Sequence, residues 1–386
     1  MRFLILLALL LSHALADIEI SSDFPGGSAR VLDIDQKQAT IRLVPQPAAD
    51  RGWPCWWYFR ADGLEIGKPV RIQVGGMTFA KPLRAAFSTD QKAWQHSEAA
   101  TRDRSDHVYT LTPSTKTMWF AWGPPFQLAD AHATIATAAK METTARPYTL
   151  CTSREGHEVP AIAIGTGPQQ VWIHARQHAW ECGSSWVAKG LLEWLISDPA
   201  ASLRKAATIH LVPVMDVDSV ERGAGGKDQQ PQDHNRDWSE TPHWPEVRAA
   251  QQKIKALMED DRLALFVDLH NPAPGDMEPF FYLPPEELLS EAQQPAMAAF
   301  IAAAKAHMGS GPIAFNGRTR VSGKNYDRQN WMRISKNWVA AQTSGRTVAV
   351  TLETAWNTPH NLIADYENFG AALGQAIDAF LRPTAE

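Results

Sequence analysis

The sequence predicts two domains: a small all-β sandwich, then an α/β domain whose mixed, mostly parallel sheet is flanked by helices. Residues 17–145 carry short alternating apolar runs separated by turn signals such as PGG, DG and GPP, which is typical of a β-sandwich. Residues 146–386 alternate apolar strands with amphipathic helices, the pattern of an α/β domain. At 386 residues the chain is long enough for both domains.

The first domain is predicted from short runs that alternate apolar and polar residues: ARVLDI, ATIRLV, CWWYFRA, PVRIQVG, HVYTLT and TMWFAW. A helical segment, QLADAHATIATAAK, follows them and is assigned to the end of this domain. The 15 tryptophans of the chain suit either packed cores or an aromatic groove, and core filling is the commoner use.

The second domain is predicted from four strand–helix pairs. VWIHA precedes a helix over about 183–197, and TIHLVPVMD precedes one over about 244–259. LALFVDLH precedes an Ala-rich helix over about 286–308, and TVAVTLETA precedes one over about 364–381. In open α/β sheets the chemistry lies beyond the carboxyl ends of the strands, so the residues that end these strands are the first candidates for a site.

The N-terminus has the pattern of a signal peptide. Arg2 precedes the apolar run FLILLALLL, and Ala14, Leu15 and Ala16 form a small-x-small cleavage site. We expect cleavage after Ala16 and an exported, soluble protein, because the apolar run is too short to span a bilayer and no other segment could do so. The net charge of −5 argues against a nucleic-acid binder.

The chain has three cysteines, an odd number for an exported protein. A Cys55–Cys151 disulfide is left open, because spacing alone does not test its geometry. Cys182 is interpreted as a small buried apolar residue.

Polar residues gather where the predicted strands end. In HAWE, His178 and Glu181 lie three residues apart, which lets an imidazole and a carboxylate face one point, and zinc binds both. His270 ends the strand VDLH, and Glu353 lies in an apolar strand where a carboxylate is costly to bury unless it is paired or functional. The Asn235-Arg236 pair suits a carboxylate ligand. Each feature alone has a structural explanation, but the combination indicates a metal-dependent site.

With these motifs the sequence resembles the zinc metallocarboxypeptidases of the carboxypeptidase A superfamily, and within it the cytosolic carboxypeptidase subfamily. ARQHAWEC, PVMDVDS, DHNRDW, VDLHNP and VTLETAW correspond to that subfamily's ARVHPGET, PMLNPDG, DLNRQW, DLHGH and YTLES. CWWYFRADGLEIGKPVRIQV and MWFAWGPPFQLADAHATI are similar to its β-sandwich. The resemblance covers nearly all of the chain after residue 16 and implies a carboxypeptidase-like fold.

The resemblance also implies roles for individual residues and one Zn²⁺ ion per chain. The implied roles are zinc ligation by His178, Glu181 and His270, general-base catalysis by Glu353, carbonyl polarisation by Arg222, binding of the substrate carboxylate by Asn235, Arg236 and Tyr326, and orientation of the first zinc histidine by Asp233. His174 matches no ligand and is interpreted as structural, and Arg176 as structural or supporting.

This sequence departs from the family at several positions. NPDG is replaced by DVDS, with Asp216 and Asp218 in place of the usual Asn and Asp. Trp180 stands where carboxypeptidase A has an arginine, and the loop that carries Arg222 is short.

The expected function is removal of C-terminal amino acids from peptides or proteins. Acidic terminal residues are one expectation, since Arg318, Arg320, Arg333 and Lys336 either line such a pocket or are solvated surface charges. Two alternatives remain: a zinc amidase acting on cell-wall stem peptides or N-acyl amino acids, and a non-catalytic peptide- or glycan-binding module. A serine hydrolase is disfavoured because the sequence contains no GxSxG motif.

Overall fold

A computed structural model describes residues 17–47, 50, 52–322, 327–356 and 362–382 of the chain. The predicted signal peptide, residues 1–16, lies outside the described residues and stays a prediction, and so does the role assigned to Tyr326. Within the described part of the chain, no helix combines the length and apolar character needed to cross a membrane.

The first domain is a sandwich of two five-stranded sheets, as predicted. One sheet has the order β1-β4-β10-β6-β7 and the other β2-β3-β5-β9-β8, and apolar residues of both sheets share one core. In β3, Ile41 and Leu43 are buried while Arg42 between them is exposed, the alternation that places one face of a strand inside. The strands are β1 (Glu19–Ser21), β2 (Arg30–Asp35), β3 (Thr40–Val44), β4 (Tyr58–Asp62), β5 (Val70–Val74), β6 (Ala86–Ser88), β7 (Trp94–His96), β8 (Thr101–Asp103), β9 (Asp106–Leu111) and β10 (Met118–Ala121).

The second domain has an eight-stranded sheet in the order β11-β12-β14-β13-β15-β18-β16-β17. The central strands β14, β13, β15 and β18 are parallel and almost wholly buried, as expected for strands with helices on their faces. The strands are β11 (Arg146–Thr152), β12 (Glu158–Ile164), β13 (Gln169–Ala175), β14 (Ala207–Val212), β15 (Leu263–His270), β16 (Phe280–Leu283), β17 (Thr319–Val321) and β18 (Val348–Glu353).

The α-helices of the described chain belong to this second domain. They are α1 (Leu128–Met141), α2 (Cys182–Leu195), α3 (Ala201–Ala206), α4 (Val217–Glu221), α5 (Pro245–Met258), α6 (Gln293–Met308), α7 (Arg328–Met332), α8 (Ser335–Gln342) and α9 (Ile363–Leu381). The antiparallel pairs β11–β12, β12–β14 and β16–β18 make the sheet mixed, and the predicted fold class is confirmed.

Two expectations about domain limits and helix limits need correction. Helix α1 was assigned to the β-sandwich domain, but its apolar face packs into the core of the second domain, so the boundary lies before Leu128 rather than after Ala145. Helix α6 begins at Gln293 and not near 286, because the preceding segment forms a separate turn in which the Ser290 N–H donates to Gln293 Oε1 at 2.8 Å.

The Cys55–Cys151 disulfide that the sequence left open is not formed. Cys55 lies in the core of the β-sandwich and Cys151 lies half-buried on β11 of the second domain. Both are free thiols, and so is Cys182, which is buried as predicted.

The β-sandwich packs against the loop that follows α4. Gly225 admits this contact, since a Cβ there would lie 2.1 Å from the carbonyl oxygen of Trp53. Gly226 has a φ of 78°, a conformation that suits glycine. The Trp53 N–H donates to the Lys227 carbonyl oxygen at 2.7 Å. The first domain therefore borders the carboxyl edge of the large sheet, where the candidate site lies.

Candidate active site

The polar residues predicted to meet do lie at one edge of the large sheet. His270 and Glu353 end the neighbouring parallel strands β15 and β18, and they lie opposite each other in the register. β13 pairs with β15 on the other side, with Ala175 opposite Leu269. The turn after β13 therefore reaches the same edge, as expected for an open α/β sheet.

The turn that carries HAWE is shaped by Arg176. This residue has a φ of 62°, which is uncommon for a residue other than glycine. Its buried guanidinium donates from Nε to the Ala179 carbonyl oxygen at 3.0 Å and from Nη1 to the Phe126 carbonyl oxygen at 3.1 Å. Burial lowers the pKa of Arg176 to about 10, against the opposing effect of the Glu181 carboxylate. These hydrogen bonds of Arg176 hold the turn in a shape that places His178 and Glu181 on one side of it.

The predicted metal ligands converge on a single buried point. Glu181 Oε1 lies 2.8 Å from His178 Nδ1, and Glu181 Oε2 lies 2.7 Å from His270 Nδ1. All three side chains are buried, and their ligand atoms lie within 4.8 Å of one another. On the far side of each ring, His178 Nε2 lies 3.4 Å from Asp233 Oδ1, and His270 Nε2 lies 3.0 Å from Asp268 Oδ1.

This arrangement fits a divalent cation. A carboxylate facing Nε2 keeps the ring proton on that nitrogen and leaves the Nδ1 lone pair for a metal. Burial raises the pKa of Glu181, but His178 and His270 lower it to about 2. Burial lowers the pKa of His270, but Asp268 and Glu181 outweigh it and raise the pKa well above its usual range. The carboxylate oxygens of Glu181, each within 2.8 Å of an imidazole Nδ1, mark the position that a cation would occupy.

Asp268 is a supporting residue that sequence reasoning missed. Its Oδ2 accepts hydrogen bonds from Gln177 Nε2 at 2.8 Å and Ser335 Oγ at 2.6 Å, and its Oδ1 lies 3.0 Å from His174 Nε2. His174 is therefore not a ligand but supports Asp268, which faces His270. The sequence did contain a signal for Asp268. Positions two apart on a strand share a face, and VDLH places Asp268 two residues before His270.

Glu353 lies beside the three ligands at the end of β18. Its Oε2 is buried and has no hydrogen-bond partner among the described residues. Burial raises the pKa of Glu353 to about 8, with Glu181 and Asp268 adding to the effect and His270 opposing it. A buried carboxyl group with a pKa near neutrality can exchange a proton during a reaction.

A cleft of about 600 Å³ is lined by the three ligands and Glu353, and also by Asn235 and Arg236, two of the residues expected to bind the substrate carboxylate. Asn235 and Arg236 lie in a short 3-10 turn that follows Asp233. Asn235 Oδ1 accepts from the Ser335 N–H at 3.0 Å, and its Nδ2 lies 3.2 Å from His270 Nε2. Because His270 Nε2 carries the ring proton that faces Asp268, it accepts no hydrogen bond from Asn235, and the amide hydrogens of Asn235 Nδ2 are left for a ligand beside the guanidinium of Arg236.

The structure does not bring Arg222 to this cleft, and the role expected for it is corrected. Arg222 caps α4, and its guanidinium contacts Asp50 at 3.4 Å and also Glu155. The chain returns to the ligands only after the glycines that follow α4, so Lys227, rather than Arg222, is the cation of this loop that lines the cleft. Lys227 Nζ lies 2.8 Å from Asp233 Oδ2.

Comparisons with known proteins agree with this architecture. Residues 20–122 match the family profile described as cytosolic carboxypeptidase N-terminal domain, and residues 132–271 match the profile described as zinc carboxypeptidase. The fold is similar to that of a metallo-carboxypeptidase from Burkholderia cenocepacia, with a TM-score of 0.83 and 23% identity over 96% of this chain and 100% of that one. It is also similar to a Pseudomonas aeruginosa metallo-carboxypeptidase, with a TM-score of 0.74 and 20% identity over 94% of this chain and 100% of that one.

The matches to curated relatives cover smaller parts of the two chains. Human cytosolic carboxypeptidase 1 is 23% identical over 66% of this chain but only 25% of its own length. An uncharacterized protein of Zymomonas mobilis is 26% identical over 58% of this chain and 60% of its own. The chain thus spans only part of the length of these relatives, yet the two profiles together match more than half of it. The chain belongs to the zinc carboxypeptidase family, in the branch that carries a cytosolic carboxypeptidase N-terminal domain.

Proposed function

We propose that this protein is a zinc-dependent carboxypeptidase that hydrolyses the last peptide bond of peptides or proteins. The observation that supports this most strongly is the convergence of His178 Nδ1, Glu181 and His270 Nδ1 beside Glu353. His178, Glu181 and His270 would hold the ion. When bound, zinc supplies a Lewis acid that polarises the scissile carbonyl and lowers the pKa of the attacking water.

Other side chains of the cleft would bind the substrate, transfer the proton and stabilise the oxyanion. Arg236, with the side-chain amide of Asn235, binds the terminal carboxylate of the substrate and so presents only the last peptide bond. Glu353 Oε2 takes the proton of the attacking water and passes it to the leaving amine. Lys227, not Arg222, stabilises the negative charge that develops on the carbonyl oxygen.

Zinc content tests the ligand set. We expect the purified protein to carry one zinc ion per chain and His270→Ala to lose it, because three protein ligands hold a catalytic zinc. Asp268→Asn should weaken zinc binding by about 10- to 100-fold, since the partners that orient ligands act on that scale. Elemental analysis measures both, with the exposed His132→Ala as a matched control. Stoichiometric zinc in His270→Ala would exclude His270 as a ligand.

Substitution of Glu353 tests the proton carrier. We expect Glu353→Gln to keep its zinc and to lower kcat by about 10²- to 10⁴-fold, because an amide is similar in shape but takes no proton. Steady-state release of the terminal amino acid measures this. The control is Glu278→Gln, since Glu278 is exposed. A kcat within a few-fold of the natural enzyme would contradict the assignment.

A paired substitution tests the choice between Lys227 and Arg222. Lys227→Met should lower kcat by about 10²- to 10³-fold, the loss typical of a donor to a developing oxyanion. Arg222→Met should leave kcat nearly unchanged, because Arg222 lies outside the cleft. Zinc content is measured alongside, since Lys227 also pairs with Asp233, which faces His178. The reverse pattern, with kcat lost only in Arg222→Met, would restore the sequence-based assignment.

We further propose that the terminal residue is acidic. Of the four basic residues suggested by the sequence, Lys336 and Arg320 line the cleft. Arg320 is already paired with Asp276 at 2.7 Å. Lys336 is buried, and its hydrogen-bond acceptors in the described chain are the neutral Ser322 and Asn337. A substrate carboxylate would supply a counter-ion, and no described carboxylate forms an ion pair with this buried ammonium.

The acidic preference has a pH signature. Burial, with Arg236, lowers the pKa of Lys336 to about 7 despite the opposing Asp268 and Glu353, so the ammonium is lost as the pH rises through about 7. We expect the ratio of kcat/KM for C-terminal Glu over C-terminal Leu to fall across that range. In Lys336→Met the ratio should be about 10- to 100-fold lower and independent of pH, given the strength of charged hydrogen bonds.

Faster release of C-terminal Leu or Lys than of Glu by the natural enzyme would contradict the acidic preference while leaving the carboxypeptidase proposal standing.

A further inference from the structure

The β-sandwich domain forms part of the wall of the catalytic cleft. Trp53 and Phe79, both from that domain, line the cleft together with Trp180 of the second domain. The Trp53 and Phe79 ring centroids lie 4.4 Å apart, and those of Phe79 and Trp180 lie 6.2 Å apart at an interplanar angle of 85°. We call these three side chains the aromatic shelf.

Residues of both domains pack against the buried side of the aromatic shelf and hold it in place. Trp180 is only 2% exposed, and it stacks on Trp356 with centroids 5.6 Å apart while Trp122 meets it edge-on at 5.1 Å. Trp53 and Phe79 are partly exposed, so they present aromatic surface to the cleft from a rigid base. Rigid aromatic side chains bind ligands at a low cost in conformational entropy.

The aromatic shelf adjoins the metal ligands on the His178 side. Trp180 stands between His178 and Glu181 in the HAWE turn, and Lys227 Nζ lies 5.8 Å from the centre of the Trp53 ring. The same Nζ is 2.8 Å from Asp233 Oδ2, and Asp233 faces His178.

The basic wall of the cleft comes from other elements. Lys336 is the second residue of α8, Arg320 lies on β17 and Arg236 lies in the turn after Asp233. On the proposed function, this wall holds the residue that is removed. The aromatic shelf, which comes from the β-sandwich and from the turn before α2, is then left for the part of the substrate that precedes the scissile bond.

The aromatic shelf would bind a ligand through apolar contacts rather than through an ion pair. The charge of Lys227 is matched by Asp233 at 2.8 Å and by Asp228 at 3.2 Å. We propose that the aromatic shelf binds the side chain of the residue before the scissile bond and selects an aromatic or large apolar one. This inference rests on the proposed carboxypeptidase function and assigns the β-sandwich a part in substrate selection.

The test uses two blocked dipeptides that end in the residue the natural enzyme releases fastest, one with Phe and one with Ala before it. We expect kcat/KM to be about 3- to 10-fold higher for the Phe substrate, the range of aromatic pair interactions. Trp53→Ala should remove this preference by lowering kcat/KM for the Phe substrate more than for the Ala substrate. Phe79→Leu should reduce it and is the milder substitution if Trp53→Ala folds poorly.

Trp119→Ala is the matched control, since Trp119 is a half-buried tryptophan of the same domain that does not line the cleft. It should leave the preference unchanged. Equal kcat/KM for the two substrates in the natural enzyme would overturn the inference, as would an equal loss on both substrates in Trp53→Ala and Phe79→Leu. Absence of release from any peptide is a different result, because it removes the proposed function itself.

Discussion

The site depends on one buried carboxylate, Glu181, that is held between two imidazoles. Burying an unpaired carboxylate costs several kcal/mol, and here His178 and His270 offset that cost at 2.8 and 2.7 Å. The two rings come from positions far apart in the chain, so their meeting requires the correct register of β13 on β15. A slip of one residue would turn His270 to the opposite face of the sheet.

Two more buried carboxylates, Asp233 and Asp268, fix the positions of the two imidazoles. Asp233 and Asp268 face the outer nitrogens of the two rings, and burial raises the pKa of each while the neighbouring cations lower it well below its usual range. Lys227 is the first of those cations for Asp233, and it reaches the cleft on the glycine loop that packs against the β-sandwich. The first domain therefore influences the site in two ways, by positioning this loop and by lining the cleft with Trp53 and Phe79.

The sequence predicts the features that local chemistry determines. His178, Glu181, His270 and Glu353 stand at strand ends whose hydrophobic patterns are clear, and the fold class follows from the same patterns. Arg222 was assigned wrongly because the path of its loop depends on contacts between domains, such as Gly225 against Trp53, that no local pattern encodes. Helix α1 was assigned to the wrong domain for a similar reason. Its amphipathic sequence shows that one face is buried, but it does not show which of the two domain cores buries that face.

The most direct test of the account is a titration of metal-free protein with zinc, in which mass spectrometry identifies the amino acids released from a mixed peptide library. The account predicts that single C-terminal residues are released and that the rate stops rising at one zinc ion per chain. Binding of one zinc ion without release of any terminal residue would contradict the carboxypeptidase function. It would direct attention to cell-wall stem peptides or N-acyl amino acids as substrates of the same site.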